Sequence, residues 1–243
     1  MKVSVIIPAA GLGTRMSRPA TEPAGRKQFL LLDGEPILAH TVRKFMAAPS
    51  VTEVIIALRP EDRDWARELL ARVDKVKPVR FADGGDSRQH SVENALAILD
   101  DDTDLVAVHD AVRPFVSVET IERVIAEAST HGAAIVGVVP VDTVKQVHLN
   151  HIRGTIPRER LILAQTPQVF RFDLLRQAFD RARADQFIAT DESSLVERLE
   201  QVEVRVVPGS DRNIKITKPG DLELARLYLA QEKADVPRQQ DEA

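Results

Sequence analysis

The 243-residue sequence contains no cysteine, which excludes disulfides, thiolate zinc clusters and cysteine nucleophiles. It also lacks a long apolar run. The N-terminal segment VSVII reaches Pro8 within a few residues. That is too short for a signal-peptide core or a membrane span, so a cytoplasmic setting without a membrane partner is expected. Excess positive charge is missing too: 33 Lys and Arg stand against 37 Asp and Glu, a formal net charge of −4. Nucleic acid is therefore not an expected partner, because a phosphate backbone is bound by a basic surface. A small anionic ligand needs only a local positive pocket. Arg15, Arg18, Arg26 and Lys27 crowd into one early stretch, either as a solvated basic loop or as part of such a pocket. With 44% hydrophobic and 29% charged residues, the composition is that of an ordinary soluble globular chain, long enough for a sizeable core.

Short β-branched runs alternate with amphipathic segments along most of the chain. Val3 to Ile7 reads as a strand buried on both faces. Ile37, Leu38, Thr41, Val42, Phe45 and Met46 recur at helical spacing between Pro36 and Pro49. Further strands are expected at Val54 to Leu58, Pro78 to Ala82, Leu105 to His109 and Ala134 to Val139. Helices are expected at Glu61 to Val73, Ser91 to Leu99 and Val118 to Ser129, the last ended by Gly132. This order predicts a three-layer, doubly wound, mostly parallel α/β sheet with right-handed crossovers. In such sheets ligands bind beyond the carboxyl ends of the strands. The rhythm breaks after Pro140, where two β-leaning stretches, Val141 to His148 and Ile152 to Gln165, flank a polar turn at Asn150-His151. They predict a projecting hairpin. Helices at Asp173 to Ala184 and Asp191 to Leu199, a strand at Val202 to Val207 and a helix from Gly220 to Gln231 complete the reading. One domain spans residues 1–231, with an arm at about 141–165, and residues 232–243 are expected to be a disordered tail.

Three motifs fall at expected strand ends. The first, PAAGLGTRM, spans Pro8 to Met16. Its small residues let the backbone approach a ligand closely, with N–H groups available to phosphate oxygens or a base. A dinucleotide fingerprint would need a third glycine where Met16 stands, and the GK[ST] of a Walker loop is also absent. A tight turn alone would not need Arg15 and Lys27. The second, ADGGDSRQHSV, spans Ala82 to Val92. Its paired glycines allow a bend around a planar base, Arg88 adds positive charge near the entrance, and Ser91 suits a helix N-cap. A plain turn and capped helix accounts for it equally well. The third, VHDAVRPF, spans Val108 to Phe115. Asp110 at a central strand end suits a metal ligand, an acceptor for a substrate hydroxyl, or a turn aspartate. Arg113 suits a phosphate contact, and His109 suits packing or the orientation of Asp110.

Taken with VDTVK, TIPRERL, QTPQVF, TDESSLV and NIKIT further along, this order and spacing resembles the 2-C-methyl-D-erythritol 4-phosphate cytidylyltransferases of non-mevalonate isoprenoid biosynthesis. The resemblance runs from Val5 to about Leu229. It implies cytidylyl transfer from CTP to a small polyol phosphate, with Mg²⁺ as cofactor. It implies that Ala9, Ala10, Gly11, Leu12 and Gly13 cradle CTP, with Arg15, Lys27 and Lys215 as the catalytic cations around its phosphates. Gly85, Asp86 and Ser91 would recognise cytosine. Asp110, Arg113, Thr143, Arg158, Thr166 and Thr190, with Lys215, would line the acceptor site, and Asp110 would contact the metal. The resemblance also implies a homodimer in which each arm reaches the neighbouring site. Val112 departs from the alanine usual in the third motif, and ribitol-5-phosphate cytidylyltransferases share most of the pattern. A nicotinamide oxidoreductase fits the fold but lacks the third glycine; a non-catalytic nucleotide-binding regulator is the remaining alternative.

Overall fold

The computed structural model describes residues 1–11, 26–73 and 77–235 of the chain. In chain order, β1 (Val3–Pro8), a small β2–β3 ribbon (Leu31–Leu32, Glu35–Pro36) and α1 (Ile37–Ala47) lead to β4 (Glu53–Leu58). Then follow α2 (Arg63–Leu70), β5 (Val79–Asp83), α3 (Arg88–Leu96), β6 (Leu105–Val108), α4 (Val118–His131) and β7 (Ala133–Val138). Next come an arm of β8 (Val144–His148) and β9 (His151–Ile156), then β10 (Leu163–Arg171), α5 (Phe172–Ala184), α6 (Glu192–Glu197), β11 (Arg205–Pro208) and α7 (Pro219–Asp235).

Seven strands form one sheet in the order β11-β7-β10-β6-β1-β4-β5. β10 alone runs antiparallel to its neighbours; the other pairings are parallel. Strand alternation builds a core on each face. Val3, Val5 and Ile7 join Val54, Ile56 and Leu58 beneath the apolar faces of α1, α2 and α4. Ile6, Ile55 and Val106 face the other way, under α3, α5 and α6. The chain therefore has three layers, as the βα rhythm predicts. A third cluster joins α7 and the β2–β3 ribbon to the loop after β6 through Leu32, Val112, Phe115 and Ile216. Phe45 is fully buried at its centre of packing on α1, and truncation to Ala would cost about 3–5 kcal/mol.

Helix ends follow local chemistry. The Ser117 side chain accepts the Thr120 N–H at the start of α4, and Gly132 closes it at φ 89°. α3 starts earlier than the sequence suggests, at Arg88, because Ser87 rather than Ser91 accepts the capping N–H from His90. α2 is preceded by a 3₁₀ turn at Pro60–Asp62 and so starts after the expected Glu61. α7 continues to Asp235, which replaces the first four residues of the expected tail with helix; residues 236–243 lie outside the described residues.

The largest departure concerns the arm. The hairpin turn is Leu149-Asn150, not Asn150-His151, and both residues have positive φ (47° and 63°), as a tight two-residue hairpin requires. The arm proper ends at Ile156, and Leu163 to Gln165 belong to β10 in the main sheet. Polar Gln165, Thr166 and Gln168 beside Pro167 mask this central strand in the sequence, yet all three polar side chains are buried.

Candidate active site

The parallel strands deliver the three motifs to one edge of the sheet, where the chain leaves β1 for β4 on one side and returns after β5 to β6 on the other. The first loop is held by its carbonyls. Gln28 Nε2 donates to Ala9 O at 2.7 Å and Gly11 O at 3.0 Å, and Arg59 Nε donates to Ala10 O at 3.1 Å. Ala9 N–H extends the β1–β4 pairing to Ala57 O at 2.8 Å. Arg26, just before Lys27, forms a buried ion pair with Asp62, which fixes the Lys27–Gln28 turn against the segment that carries Arg59.

The paired glycines of the second motif answer to packing. A Cβ on Gly84 would lie 2.1 Å from the Ala10 side chain, and one on Gly85 would lie 2.3 Å from the His90 ring. Gly84 N–H donates to Leu58 O at 2.7 Å, while Gly85 N–H donates to Ser91 Oγ at 3.0 Å. Ser91 in turn donates to Ser87 O at 2.8 Å. Ser91 therefore shapes the Gly85 turn from within the first turn of α3.

Asp110 is the electrostatic centre. Its Oδ1 accepts from Arg88 Nε at 3.1 Å, and its Oδ2 meets Arg113 Nε at 3.3 Å and Lys215 Nζ at 2.9 Å. Burial alone would raise its pKa, but Arg88, Lys215 and Arg113 together hold the carboxyl far below the usual carboxylate range. Arg88 stands on the cavity lining, as the sequence suggests, and is also paired with two buried carboxylates. Burial lowers its pKa, yet Glu192 and Asp110 outweigh that and hold it above the usual range. Arg113 Nη1 also donates to Asn213 O at 2.6 Å, tying the third motif to the segment that carries Lys215.

His109 is fully buried and has both nitrogens engaged. Nε2–H donates to Arg113 O at 3.0 Å, which leaves Nδ1 to accept from the Thr166 hydroxyl at 3.1 Å. The Thr166 oxygen accepts Asp110 N–H at 3.0 Å. Burial lowers the His109 pKa to about 4, so the ring is neutral at pH 7 and acts as an orienting group.

These segments enclose a cavity of about 310 Å³ lined by Ala9, Ala10, Gly11, Lys27, Gly85, Asp86, Ser91, Asp110 and Lys215 among the expected residues. Gln28, Arg59, Ser87 and Arg88 line it as well, and their roles emerge only from the contacts above. Arg113 and Thr166 sit behind Asp110, buried. Thr143, Arg158 and Thr190 are exposed and do not line the cavity within one chain; Arg158 Nη1 donates to Val141 O at 2.5 Å at the base of the arm. Leu12, Gly13 and Arg15 lie outside the described residues. Among the described residues no group of three or more acidic or His side chains is arranged to hold a metal. Asp110 does not fit as a metal ligand, since both its oxygens already face cations and a metal ion there would meet three positive charges.

The family model for IspD, 2-C-methyl-D-erythritol 4-phosphate cytidylyltransferase, matches residues 3–231. The 2-C-methyl-D-erythritol 4-phosphate cytidylyltransferase of Solibacter usitatus is 61% identical over 96% of this chain and 98% of its own. That of Acidobacterium capsulatum is 51% identical over 95% and 98%. The crystal structure of 4-diphosphocytidyl-2C-methyl-D-erythritolsynthase from Anaerococcus prevotii superposes with a TM-score of 0.83 at 30% identity, covering 94% of this chain and 96% of that one. A family model spanning nearly the whole chain and relatives above half identity agree: the chain belongs to the 2-C-methyl-D-erythritol 4-phosphate cytidylyltransferase family.

Proposed function

We propose that the chain transfers the cytidylyl group of CTP to 2-C-methyl-D-erythritol 4-phosphate and releases pyrophosphate, a step in isoprenoid precursor synthesis. The observation that carries this reading is the cavity of about 310 Å³ at the strand ends, with Lys27 and Lys215 on its wall and the Asp110 cluster at its base. An acceptor phosphate oxygen attacks the α-phosphorus of CTP; the new P–O bond forms as the bond to the β-phosphate oxygen breaks and the pyrophosphate leaves. Both reactants are anions, so charge repulsion is the main barrier, and preorganised cations oppose it directly. Lys27 and Lys215 carry that role, together with Arg15. The attacking phosphate is already ionised at neutral pH, its second pKa being about 6, so it needs no base. His109, neutral and doubly engaged, is consistent with a reaction that makes no such demand.

Gly85, Asp86 and Ser91 receive the cytosine edge. Mg²⁺ arrives as the complex of CTP, a substrate-borne charge that neutralises triphosphate oxygens. Asp110, Arg113 and Thr166 form the acceptor side of the chain's own site. Thr143, Arg158 and Thr190 complete it in a homodimer whose arms cross. The arm supports that arrangement: Val141, Val147, Leu149 and Ile152 are 55–77% exposed on it, an apolar surface that a second copy would cover. The reaction consumes CTP, and a cytoplasmic setting belongs to the same proposal; no helix among the described residues is long and apolar enough to cross a membrane. Incubation with CTP, Mg²⁺ and 2-C-methyl-D-erythritol 4-phosphate tests the reading by product mass and pyrophosphate release. A nucleotide that comes back unchanged would refute it.

A further inference from the structure

Glu192 has no part in the chemistry above, yet it is a carboxylate only 1% exposed, at the first position of α6. Its surroundings are built. Gln168 on β10 donates Nε2–H to Asp191 Oδ2 at 2.8 Å and accepts Ser193 N–H on Oε1 at 3.0 Å, pinning the start of the helix to the sheet. Both Glu192 oxygens accept from Arg88 Nη1, at 2.7 and 2.9 Å, and Arg88 Nε reaches Asp110 Oδ1 at 3.1 Å. The other Asp110 oxygen meets Lys215 Nζ at 2.9 Å. An unbroken line of charge pairs thus runs from a buried helix start to a cation on the cavity wall. Arg88 borders both the cavity and the small pocket beside Thr190.

A buried carboxylate is unfavourable unless something uses its charge, and packing alone would be served by an apolar residue of the same volume. Here the charge fixes Arg88. We infer that Glu192 is a positioning residue for the acceptor: by holding Arg88 it keeps Asp110 and Lys215 in the arrangement that receives the polyol phosphate. This inference rests on the function proposed above. Without the Glu192 charge, the Arg88 guanidinium loses the partner that fixes its direction toward Asp110. The acceptor then meets a carboxylate and an ammonium that are no longer held.

The test is steady-state pyrophosphate release by Glu192→Gln and by the double variant Arg88→Gln/Glu192→Gln, which leaves no lone buried charge if the single variant does not fold. In both, KM for 2-C-methyl-D-erythritol 4-phosphate should rise roughly 10- to 100-fold, the range for disturbing hydrogen bonds to charged groups. KM for CTP should move by less than about threefold, because uniform binding of the nucleotide is untouched. Glu192→Asp, with its charge restored on a shorter stem, should recover part of the acceptor KM. An acceptor KM within about threefold of wild type in either folded variant would overturn the inference, as would a lower kcat with both KM values unchanged. A wild-type enzyme that released no pyrophosphate would instead remove the underlying function, and the inference with it.

Discussion

The neutrality of His109 makes a quantitative prediction about stability. The ring is fully buried, its edge packs against Phe45 with centroids 4.8 Å apart, and both nitrogens are committed to Arg113 O and Thr166 Oγ1. Burial lowers its pKa from 6.5 to about 4, with the nearby Arg113 and Arg88 opposing charge and Asp110 favouring it. A group whose folded pKa is depressed favours folding above its unfolded pKa and loses that contribution as pH falls towards the folded value. The gap between 6.5 and about 4, at about 1.4 kcal/mol per pH unit, amounts to about 3 kcal/mol. Integrated over the linkage relation, about 2 kcal/mol of this is lost between pH 7 and pH 5. Glu192 titrates with the opposite sign, because burial raises its pKa. Comparison with His109→Gln cancels that contribution, since the variant keeps Glu192 and a neutral donor near the Nε2 position. Urea unfolding of both proteins at the two pH values measures the difference. The wild type should lose about 2 kcal/mol more than the variant on acidification. Parallel losses would mean that His109 is accommodated equally well as a cation, and the reasoning about its neutrality would fail.

Lys27→Ala should lower kcat by roughly 10²- to 10³-fold, as removal of one preorganised stabiliser of transition-state charge does, with Lys27→Met nearly as poor; near-normal turnover of both at saturating substrate would remove Lys27 from the mechanism. Deletion of Val147 to Gly154 with a short turn in its place should weaken the dimer and depress activity together, and a fully active monomer by light scattering would contradict the crossed-arm arrangement. In a competition between 2-C-methyl-D-erythritol 4-phosphate and ribitol 5-phosphate under limiting CTP, the former should lead by at least about a hundredfold in kcat/KM, because a site that buries hydrogen-bonding groups rejects analogues that leave them unpaired. Asp110→Asn should narrow that preference, since the amide keeps an acceptor oxygen but loses the charge that strengthens its bonds to hydroxyls. Early accumulation of the ribitol product would overturn the acceptor assignment and leave cytidylyl transfer intact.

The sequence by itself determined the layered architecture and the places where chemistry gathers. The runs at Val3–Ile7, Val54–Leu58 and Leu105–Val108 are strands because continuous apolar character is stable only under cover on both faces, and each is buried as that pattern requires. Helical periodicity located α1 and α4 for the same reason, and strand ends then put Ala9–Gly11, Gly85-Asp86 and Asp110 on one edge. The resemblance of the motifs supplied the family. Tertiary structure alone decided the rest. β10 was illegible because three of its buried side chains are polar: Gln165, Thr166 and Gln168 are satisfied by Asn213, by the His109-Asp110 turn and by Asp191 and Ser193, partners that leave no periodic trace in the chain. The carboxylate partners of Arg88 were hidden because they lie 22 and 104 residues away. The motif does not by itself reveal that Ala10 and His90 occupy the space where side chains on the glycine pair would go. Periodicity records which face a residue buries, whereas the partner of a buried polar group is fixed only when distant segments meet.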